Sequence, residues 1–455
     1  MATALALAGC ASSKPEHGLD PTASGPARIV QAGVAREPAS AVPATSLSVA
    51  VEANNAFAVD LYTRVRADGD AGNLLTSPIS AALALTMAYA GAVGPTATEM
   101  ATALHFGSGA DGSIFAGQNA LSQALNARGP AALAQAQDNA SRSNQAPPSA
   151  DDYQLAVVNS VWGQDTYTWQ PPFLEILAKN YGTGVYQEDF VNAFEPARQT
   201  INGWVSQETN AKINDLLPSG ALDTDTRMVL VNALHLKLPW ATAFLPADTQ
   251  PASFTRQDGS SVTASFMNLI TNFPYADDGN AQIVSLPLSG DELSVVIALP
   301  HEGVSLASYE DMLENNAAPL GLPQSSALVQ LSLPKASFTS ESFSLSKALK
   351  SMGMNLAFDG TLADLSGLCA APPDKLHLYV ADVLQKATIS MAETGAEAAA
   401  ATAVIVSGEI SIAVTPPVPT PLIVNRPYLV EIVDVPTGAV LMLGHVQDPT
   451  NSGGP

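Results

Sequence analysis

The chain has 455 residues, of which 47% are hydrophobic and 13% charged, so it can bury a sizeable core. Asp and Glu number 42 against 19 Lys and Arg, a net charge of −23, which excludes nucleic acid as a partner because phosphate binding needs a basic face. Residues 50–450 carry no linker-like break in composition, and no apolar run is long enough for a transmembrane helix.

The first residues are short and apolar and end in Leu7-Ala8-Gly9-Cys10. This ending resembles a bacterial lipobox, in which signal peptidase cuts before a cysteine that carries the lipid. A chance occurrence in an alanine-rich chain is the alternative, and no Lys or Arg precedes the apolar run as a signal peptide requires. We expect residues 1–9 to be a signal remnant and Cys10 to be lipidated, in a cell-envelope or secreted protein. Cys369 is then alone, and no disulfide is expected.

Further along the chain, composition and periodicity predict the main elements. Residues 10–49 are rich in Ala, Ser and Pro and are predicted to form a flexible tether before a domain over 50–450, with 451–455 as a tail. The first predicted helix lies around residues 51–62, and Ser77-Pro78 predicts an N-cap and a first-turn proline for the next helix. Residues 128–150 are predicted to form a mobile polar loop. Buried strands are predicted at 154–162 and 226–238, and further strands at 281–287, 293–300, 428–433 and 439–443.

The sequence contains no enzyme constellation. The six histidines do not fall in metal-ligand spacing, and neither a G-x-S-x-G elbow nor a P-loop occurs. His235 lies in a predicted buried strand and is interpreted as a core histidine. We therefore expect no catalytic activity, no metal and no cofactor.

The segment from Glu393 to Val406 is the most informative part of the chain. It reads E-T-G-A-E-A-A-A-A-T-A-V-I-V, and the prolines that follow from Pro416 exclude a long helix. Alternate residues from Ala396 to Val406 are small or β-branched and uncharged, which is typical of one face of a strand that enters a crowded sheet. The only charge between them is Glu397, on the opposite face.

This segment resembles the hinge and reactive-centre loop of the serpins, and other motifs follow in that family's order. They are Asn73-Leu74-Leu75-Thr76-Ser77-Pro78-Ile79-Ser80, Ile201-Asn202-Gly203-Trp204-Val205, Val231-Asn232-Ala233 with Lys237 and Trp240, Leu333-Pro334-Lys335, Asn425-Arg426-Pro427-Tyr428-Leu429 and Leu443-Gly444-His445-Val446. The resemblance covers about residues 50 to 450.

The resemblance implies an α+β serpin fold with about three β-sheets, eight to nine helices and an exposed loop at about 393–424. It also implies a monomeric suicide-substrate inhibitor, which forms a covalent acyl complex with a target serine protease and inserts its cleaved loop into the central sheet. A non-inhibitory serpin that acts as a binding or structural protein is the alternative. A membrane partner is expected only through the lipid anchor.

The resemblance assigns two groups of residues to this mechanism. The hinge comprises Glu393, Gly395, Ala396, Glu397, Ala398, Ala399, Ala400, Ala401 and Thr402. The residues that close the sheet, the shutter and breach of the family, are Asn73, Ser77, Pro78, Ser80, Asn232, Trp240 and Gln385. The family commonly has a histidine where this chain has Gln385, whose amide can both donate and accept hydrogen bonds.

Two positions are open for the reactive bond. The family's usual spacing from Gly395 places it at Glu409–Ile410, whereas the proline pair Pro416-Pro417 places it at Ala413–Val414. Ile410 and Ala413 suit elastase- or subtilisin-type proteases, and Glu409 suits a glutamyl-specific one.

Overall fold

The computed structural model describes residues 28–68, 72–107, 112–316, 319–339, 343–369, 378–386, 388–396 and 417–451. Within these ranges the chain forms eight α-helices and eighteen strands. The helices are α1 (Ala44–Asp68), α2 (Pro78–Tyr89), α3 (Gly94–Ala103), α4 (Gly112–Arg142), α5 (Pro171–Tyr181), α6 (Phe190–Glu208), α7 (Leu306–Asn316) and α8 (Ser346–Ser351).

The strands alternate with these helices and then dominate the second half of the chain. They are β1 (Arg28–Val30), β2 (Leu74–Thr76), β3 (Gln154–Gln164), β4 (Val185–Glu188), β5 (Met228–Pro239), β6 (Gln250–Thr255), β7 (Ser261–Asp277), β8 (Ala281–Pro287), β9 (Leu293–Pro300), β10 (Ser326–Pro334), β11 (Ala336–Thr339), β12 (Phe343–Ser344), β13 (Leu384–Gln385), β14 (Thr388–Ala392), β15 (Gly395–Ala396), β16 (Thr420–Ile423), β17 (Tyr428–Asp434) and β18 (Ala439–Val446).

Seven strands form a central sheet in the order β1-β4-β3-β5-β15-β14-β11. The long strands β3 and β5 pair antiparallel over ten residues, from Gln154 opposite Lys237 to Gly163 opposite Met228. On the far side of β5 the two-residue strand β15 separates it from β14. The central sheet therefore has one very short strand between two longer ones.

Nine strands form a second sheet in the order β16-β10-β7-β8-β9-β17-β18-β2, with β6 paired to β7. All residues of β9, β17 and β18 are buried, because these strands are covered on both faces. Such strands must be apolar throughout, and this explains their continuous Val, Ile, Leu and Ala runs. A third, two-stranded sheet pairs β12 with β13.

Helix α2 lies between the two sheets. Every residue from Pro78 to Ala88 is buried, and the helix contacts β3, β5 and β18. Burial of apolar side chains such as Ile79, Leu83 and Leu85 stabilises the fold by about 1.5–3 kcal/mol each. The helix thus lies beneath the part of the central sheet where the two-residue strand β15 separates β5 from β14.

The predicted flexible tether is wrong for residues 28–49. Arg28–Val30 pair with Gln187–Val185 and add an edge strand to the central sheet. The carbonyl of Glu37 accepts hydrogen bonds from Asn119 and Gln123 on α4, and α1 begins at Ala44. The short β-branched run Ile29-Val30 supplies the strand propensity that the surrounding Ala and Pro obscured.

The predicted loop at 128–150 is also wrong over residues 128–142, because α4 continues to Arg142. Pro130 lies inside the helix, but the alanine-rich turns that follow have high helix propensity. Arg128 fixes the helix to the β17–β18 hairpin through Asp434, with an Nε–Oδ1 distance of 2.7 Å. Tertiary contacts thus offset the cost of the proline.

Candidate functional site

The two residues of β15 lie between β5 and β14, near the end of the gap in the central sheet. On the β5 side, Gly395 pairs with Pro239 and Ala396 pairs with Leu238. On the β14 side, Gly395 pairs with Ala392 and Ala396 pairs with Met391. Glycine is required at position 395, because a Cβ there would lie 2.4 Å from the Leu238 carbonyl oxygen. The hinge residues Gly395 and Ala396 are therefore already part of the sheet.

Below this pair, β5 and β14 are separated. Thr388 to Ser390 pair with β11 on one side, and the described residues supply no strand partner on the other. A cavity of about 170 Å³ opens there, between Leu234–Leu236 on β5 and Thr388 and Ser390 on β14. The gap continues the line of β15 into the sheet.

The turn that leads from β14 into β15 is held by four hydrogen bonds. The indole Nε1 of Trp240 donates to the Ala392 carbonyl at 2.7 Å, and the Trp240 backbone N–H donates to the Thr394 carbonyl at 3.0 Å. The Phe244 N–H donates to the Glu393 carbonyl at 2.9 Å, and the Thr249 hydroxyl donates to Glu393 Oε1 at 3.0 Å. These contacts fix the point at which the chain turns back into the sheet.

The Glu393 carboxylate also forms an ion pair with Lys335, with an Nζ–Oε2 distance of 2.8 Å. Partial burial alone would raise the pKa of Glu393, but the hydrogen bonds from Lys335 and Thr249 and the Lys335 charge lower its pKa overall. The carboxylate is thus ionised over the physiological range, and it joins the hinge turn to the connection between β10 and β11.

Gln385 lies at the lower end of the gap, at the N-terminus of α2. Its Oε1 accepts from the Ser77 N–H at 3.0 Å, and its Nε2 donates to the Ser77 carbonyl at 2.8 Å. Ser77 is the N-cap residue of α2, as predicted, but its hydroxyl donates to the Leu441 carbonyl at 3.1 Å and makes no side-chain capping hydrogen bond. The glutamine amide therefore makes both the donor and the acceptor contact at this position.

Asn232 completes the contacts beneath the gap. Its amide nitrogen, on β5, donates to the Ser80 carbonyl on α2 and to Asn159 on β3. Pro78 is at the first turn of α2, as its sequence position predicted. The structure thus brings together Ser77, Pro78, Ser80, Asn232 and Gln385.

Asn73 does not belong to this group. Its amide donates to the carbonyls of Asp448 and Asn451, and its Oδ1 accepts from the N–H groups of Gln447 and Asp448. Asn73 fixes the C-terminal segment and contacts neither Gln385 nor the hinge in the hydrogen bonds of the described residues. The resemblance assigned Asn73 to the residues that close the sheet, but its hydrogen bonds join it to the C-terminal segment instead.

Several predicted positions lie outside the described residues. They are the lipidation site Cys10, the hinge residues Glu397, Ala398, Ala399, Ala400, Ala401 and Thr402, and both candidate bonds, Glu409–Ile410 and Ala413–Val414.

His235 is buried as predicted, with its Nε2 3.2 Å from Gln154 Oε1. Among the described residues, no group of three or more His, Cys, Asp or Glu could hold a metal ion. No helix in the described ranges has the length and apolar character needed to cross a bilayer.

The central sheet has seven strands, and its two-residue hinge strand β15 lies above a gap between β5 and β14. We compared this chain with known protein families and folds. The family described as "Serpin (serine protease inhibitor)" matches residues 52–449. The chain belongs to the serpin family. Members of this family are typically protease inhibitors rather than catalytic enzymes, although non-inhibitory serpins exist, and the predicted serpin fold is confirmed.

Proteins similar to this serpin occur in organisms that are distant from each other. The leukocyte elastase inhibitor of Bos taurus is 32% identical over 406 residues, which cover 87% of this chain and 98% of the bovine protein. An uncharacterised serpin-like protein of Methanosarcina acetivorans is 32% identical over 407 residues, covering 87% of this chain and 85% of that protein. The native-state structure of the thermophilic serpin tengpin matches with a TM-score of 0.71 at 26% identity, over 93% of this chain and all of that one.

Sequence reasoning did not identify two contributors to the site. Lys335 lies within one of the family motifs, but the motif does not mark it as the partner of Glu393, and Thr249 lies outside these motifs. The two partners of the ion pair are 58 positions apart, and no local spacing relates them. In the sequence, the acidic Glu393 close to the hinge glycine is the only feature that indicates a basic partner.

Proposed function

We propose that this serpin inhibits extracytoplasmic serine proteases by acting as a suicide substrate. The protease attacks a bond of the reactive-centre loop and forms an acyl-enzyme. The cleaved loop then enters the gap between β5 and β14 as a new strand, and the attached protease is distorted before it can deacylate. The observation that carries the proposal is the position of Gly395 and Ala396, already paired on both sides at the entrance of the gap.

The register of these two residues supports insertion of the segment that follows. Continued along β5, it places Ala398 opposite Leu236 and Ala400 opposite Leu234. On the β14 side, Ala398 falls opposite Ile389. Leu234 and Ile389 belong to the hydrophobic core and Leu236 packs against it, so the uncharged face of the loop would point inward.

The energetics of such an insertion favour the cut form. About ten new backbone hydrogen bonds, at roughly 1 kcal/mol net each, contribute on the order of 10 kcal/mol before the entropy of ordering the loop is subtracted. A charge on the inward face would remove several kcal/mol of this, because an unpaired charge would be buried. The alanines of the hinge avoid that cost.

The target class is proposed from the loop residues and from the family. Ile410 and Ala413 suit elastase- and subtilisin-type proteases, and the similar bovine protein is named as an inhibitor of leukocyte elastase. Glu409 suits a glutamyl-specific protease. We favour Glu409–Ile410 as the trapping bond, because it keeps the inserted strand at the family's usual length. A cut at Ala413–Val414 adds four residues of slack, which gives the acyl-enzyme time to hydrolyse.

We further propose that the protein works in the cell envelope or outside the cell, anchored through a lipid on Cys10. The sequence before Cys10 supports this, and a target protease outside the cytoplasm fits it. The protein acts as a monomer with its target protease as the only macromolecular partner. Mass spectrometry of the native N-terminus tests the anchor, and an unmodified Cys10 would remove it.

Incubation with elastase, subtilisin and glutamyl endopeptidase tests the inhibitory function. We expect a complex stable in SDS with at least one of them, together with loss of protease activity near a 1:1 ratio. Sequencing the released peptide should give a new N-terminus at Ile410. If every protease cuts the loop and remains active, the protein is a non-inhibitory serpin with a binding or structural role.

A further inference from the structure

The second half of α4 and the residues after it border a large cavity that the proposed function does not use. The cavity has a volume of about 720 Å³ and lies between this part of α4, the segment 145–153, the end of β5 and the β8–β9 turn. Gln135, Asn139 and Ser143 line it, since a spacing of four residues keeps them on one side of the helix. In the part of the chain that the structure describes, these three side chains are exposed and have no hydrogen-bond partner, so their polar atoms are available to a ligand.

The opposite wall of the cavity is the β8–β9 turn at residues 289–291. This turn packs directly on α4 at Gly290, whose φ is +94° and where a Cβ would lie 2.8 Å from the Ala132 Cβ. Arg128 on α4 also pairs with Glu292, with an Nη1–Oε1 distance of 2.9 Å. The two walls are thus held together by contacts within the chain, and the cavity is formed before any ligand binds.

The lining carries little free charge. No Lys, Arg or His is among the described residues that border the cavity, so an anion would find no cationic partner. Of the two carboxylates, Asp152 already pairs with Lys237 at 2.9 Å, which leaves the exposed Asp291. The amide NH₂ groups of Gln135 and Asn139 are donors, and a metal or ammonium cation cannot accept a hydrogen bond from them. The lining therefore suits an uncharged polar ligand.

We propose that this cavity binds an uncharged oligosaccharide. Each sugar hydroxyl both donates and accepts hydrogen bonds, and the amides and hydroxyls of the lining do the same, so neighbouring hydroxyls of one ring can be bonded together. Tyr153, Pro147 and Pro148 add apolar surface against which the C–H groups of a sugar ring pack. The Trp240 ring is only 4% exposed, so it closes one end of the cavity and does not stack on the sugar.

The size and position of the cavity define how the oligosaccharide binds. At roughly 30 Å³ for each water-sized group, the volume of about 720 Å³ corresponds to about 24 groups, or about two sugar rings. Among the described residues, none of the lining comes from β14 or β15, so the ligand leaves the hinge free. A glycan is then a second partner beside the target protease, and its binding does not depend on the inhibitory function.

Calorimetric titration of the uncut protein with maltotriose, cellotriose and chitotriose tests the site, with spermidine and inorganic phosphate as charged probes. We expect saturable binding of at least one trisaccharide, at one molecule per chain, and no saturable binding of the charged probes. Gln135→Ala and Asn139→Ala should each weaken it about fivefold, the equivalent of one net hydrogen bond. Gln137→Ala removes the same amide from an exposed position on α4 outside the lining, and should bind as the unsubstituted protein does.

A pair of bulky substitutions tests the placement of the ligand. Ser143→Trp puts an indole into the cavity and should abolish binding, whereas Ser141→Trp lies outside the lining and should leave binding unchanged. Both positions are exposed, so both variants should fold, and their thermal midpoints check this. Binding should also be equal before and after the loop is cut, and its loss on cleavage would contradict the placement away from β14 and β15.

Three results would overturn the site and leave the inhibitory function untouched. They are absence of saturable binding by all three trisaccharides, equal weakening by Gln135→Ala and Gln137→Ala, and saturable binding of spermidine or phosphate in place of the sugars. Conversely, a protein that every protease cuts without being trapped, but that binds a trisaccharide as described, would keep this site and lose the inhibitory function.

Discussion

The side-chain amide of Gln385 holds the backbone of Ser77 at both polar atoms, accepting from its N–H at 3.0 Å and donating to its carbonyl at 2.8 Å. The two residues are 308 positions apart, and Gln385 is 2% exposed. This contact joins the strand that leads into β14 to the first turn of α2, at the end of the gap opposite the hinge.

Replacement of Gln385 by Ala should destabilise the uncut protein by about 1–3 kcal/mol, because the buried Ser77 N–H loses its partner and the Ser77 carbonyl keeps only its bond from the Ala81 N–H. Gln385→Glu is the sharper variant, since an ionised carboxylate can accept from the Ser77 N–H but cannot donate to its carbonyl. We expect Gln385→Glu to be less stable at pH 7 than at pH 5, where protonation restores a donor. Thermal midpoints at the two pH values measure this, and a midpoint equal to that of the unsubstituted protein would show that the contact contributes nothing.

The Lys335–Glu393 ion pair predicts a pH dependence of the hinge turn. The pKa of Glu393 is lower in the folded protein than the ordinary carboxyl pKa, near 4.3. The ionised Glu393 therefore stabilises the folded protein fully above that ordinary pKa, and this stabilisation is lost as pH falls through the lower folded value. Lys335 is 40% exposed, so we expect a coupling of about 1 kcal/mol or less. A double-mutant cycle of Lys335→Met and Glu393→Gln measures it at pH 7 and again at pH 3. Strictly additive effects at pH 7 would contradict the assignment.

A pair of adjacent substitutions tests which face of the loop is buried. Ala398→Glu should convert the inhibitor into a substrate, because the charge would have to lie between Leu236 and Ile389. Ala399→Glu carries the same charge on the other face, beside His235 and Thr388, and should retain most of the inhibition. The stoichiometry of inhibition against a trapped protease gives the comparison. Equal stoichiometry for the two variants would show that the loop does not insert in the register of β15.

Much of the fold could be predicted from local sequence. The strands β8 and β9 have the predicted bounds, 281–287 and 293–300, because two apolar runs flank a turn rich in Ser, Gly and Asp. The strands β17 and β18 were also predicted, with ends one and three residues short. Continuous burial on both faces leaves a clear apolar signal in the sequence.

Other features depend on contacts that local sequence does not encode. Arg28–Val30 become a strand only because β4 offers a free edge, and the end of α4 is helical past Pro130 with support from Arg128 and Asp434. The sequence placed Gly395 and Ala396 in a hinge but could not tell that they already pair within the sheet. The Lys335–Glu393 and Ser77–Gln385 contacts join distant segments, and only the fold brings them together.

Hydrogen exchange at the gap tests the central claim, that a cut loop becomes a strand between β5 and β14. The backbone amides of Thr388 to Ser390 and Leu234 to Leu236 should be measured before and after cleavage of the loop, with those of β9 as an internal reference. We predict that the amides facing the gap become strongly protected after the cut, while β9 stays unchanged. Unaltered exchange on both sides of the gap in protein shown to be fully cut would contradict the account.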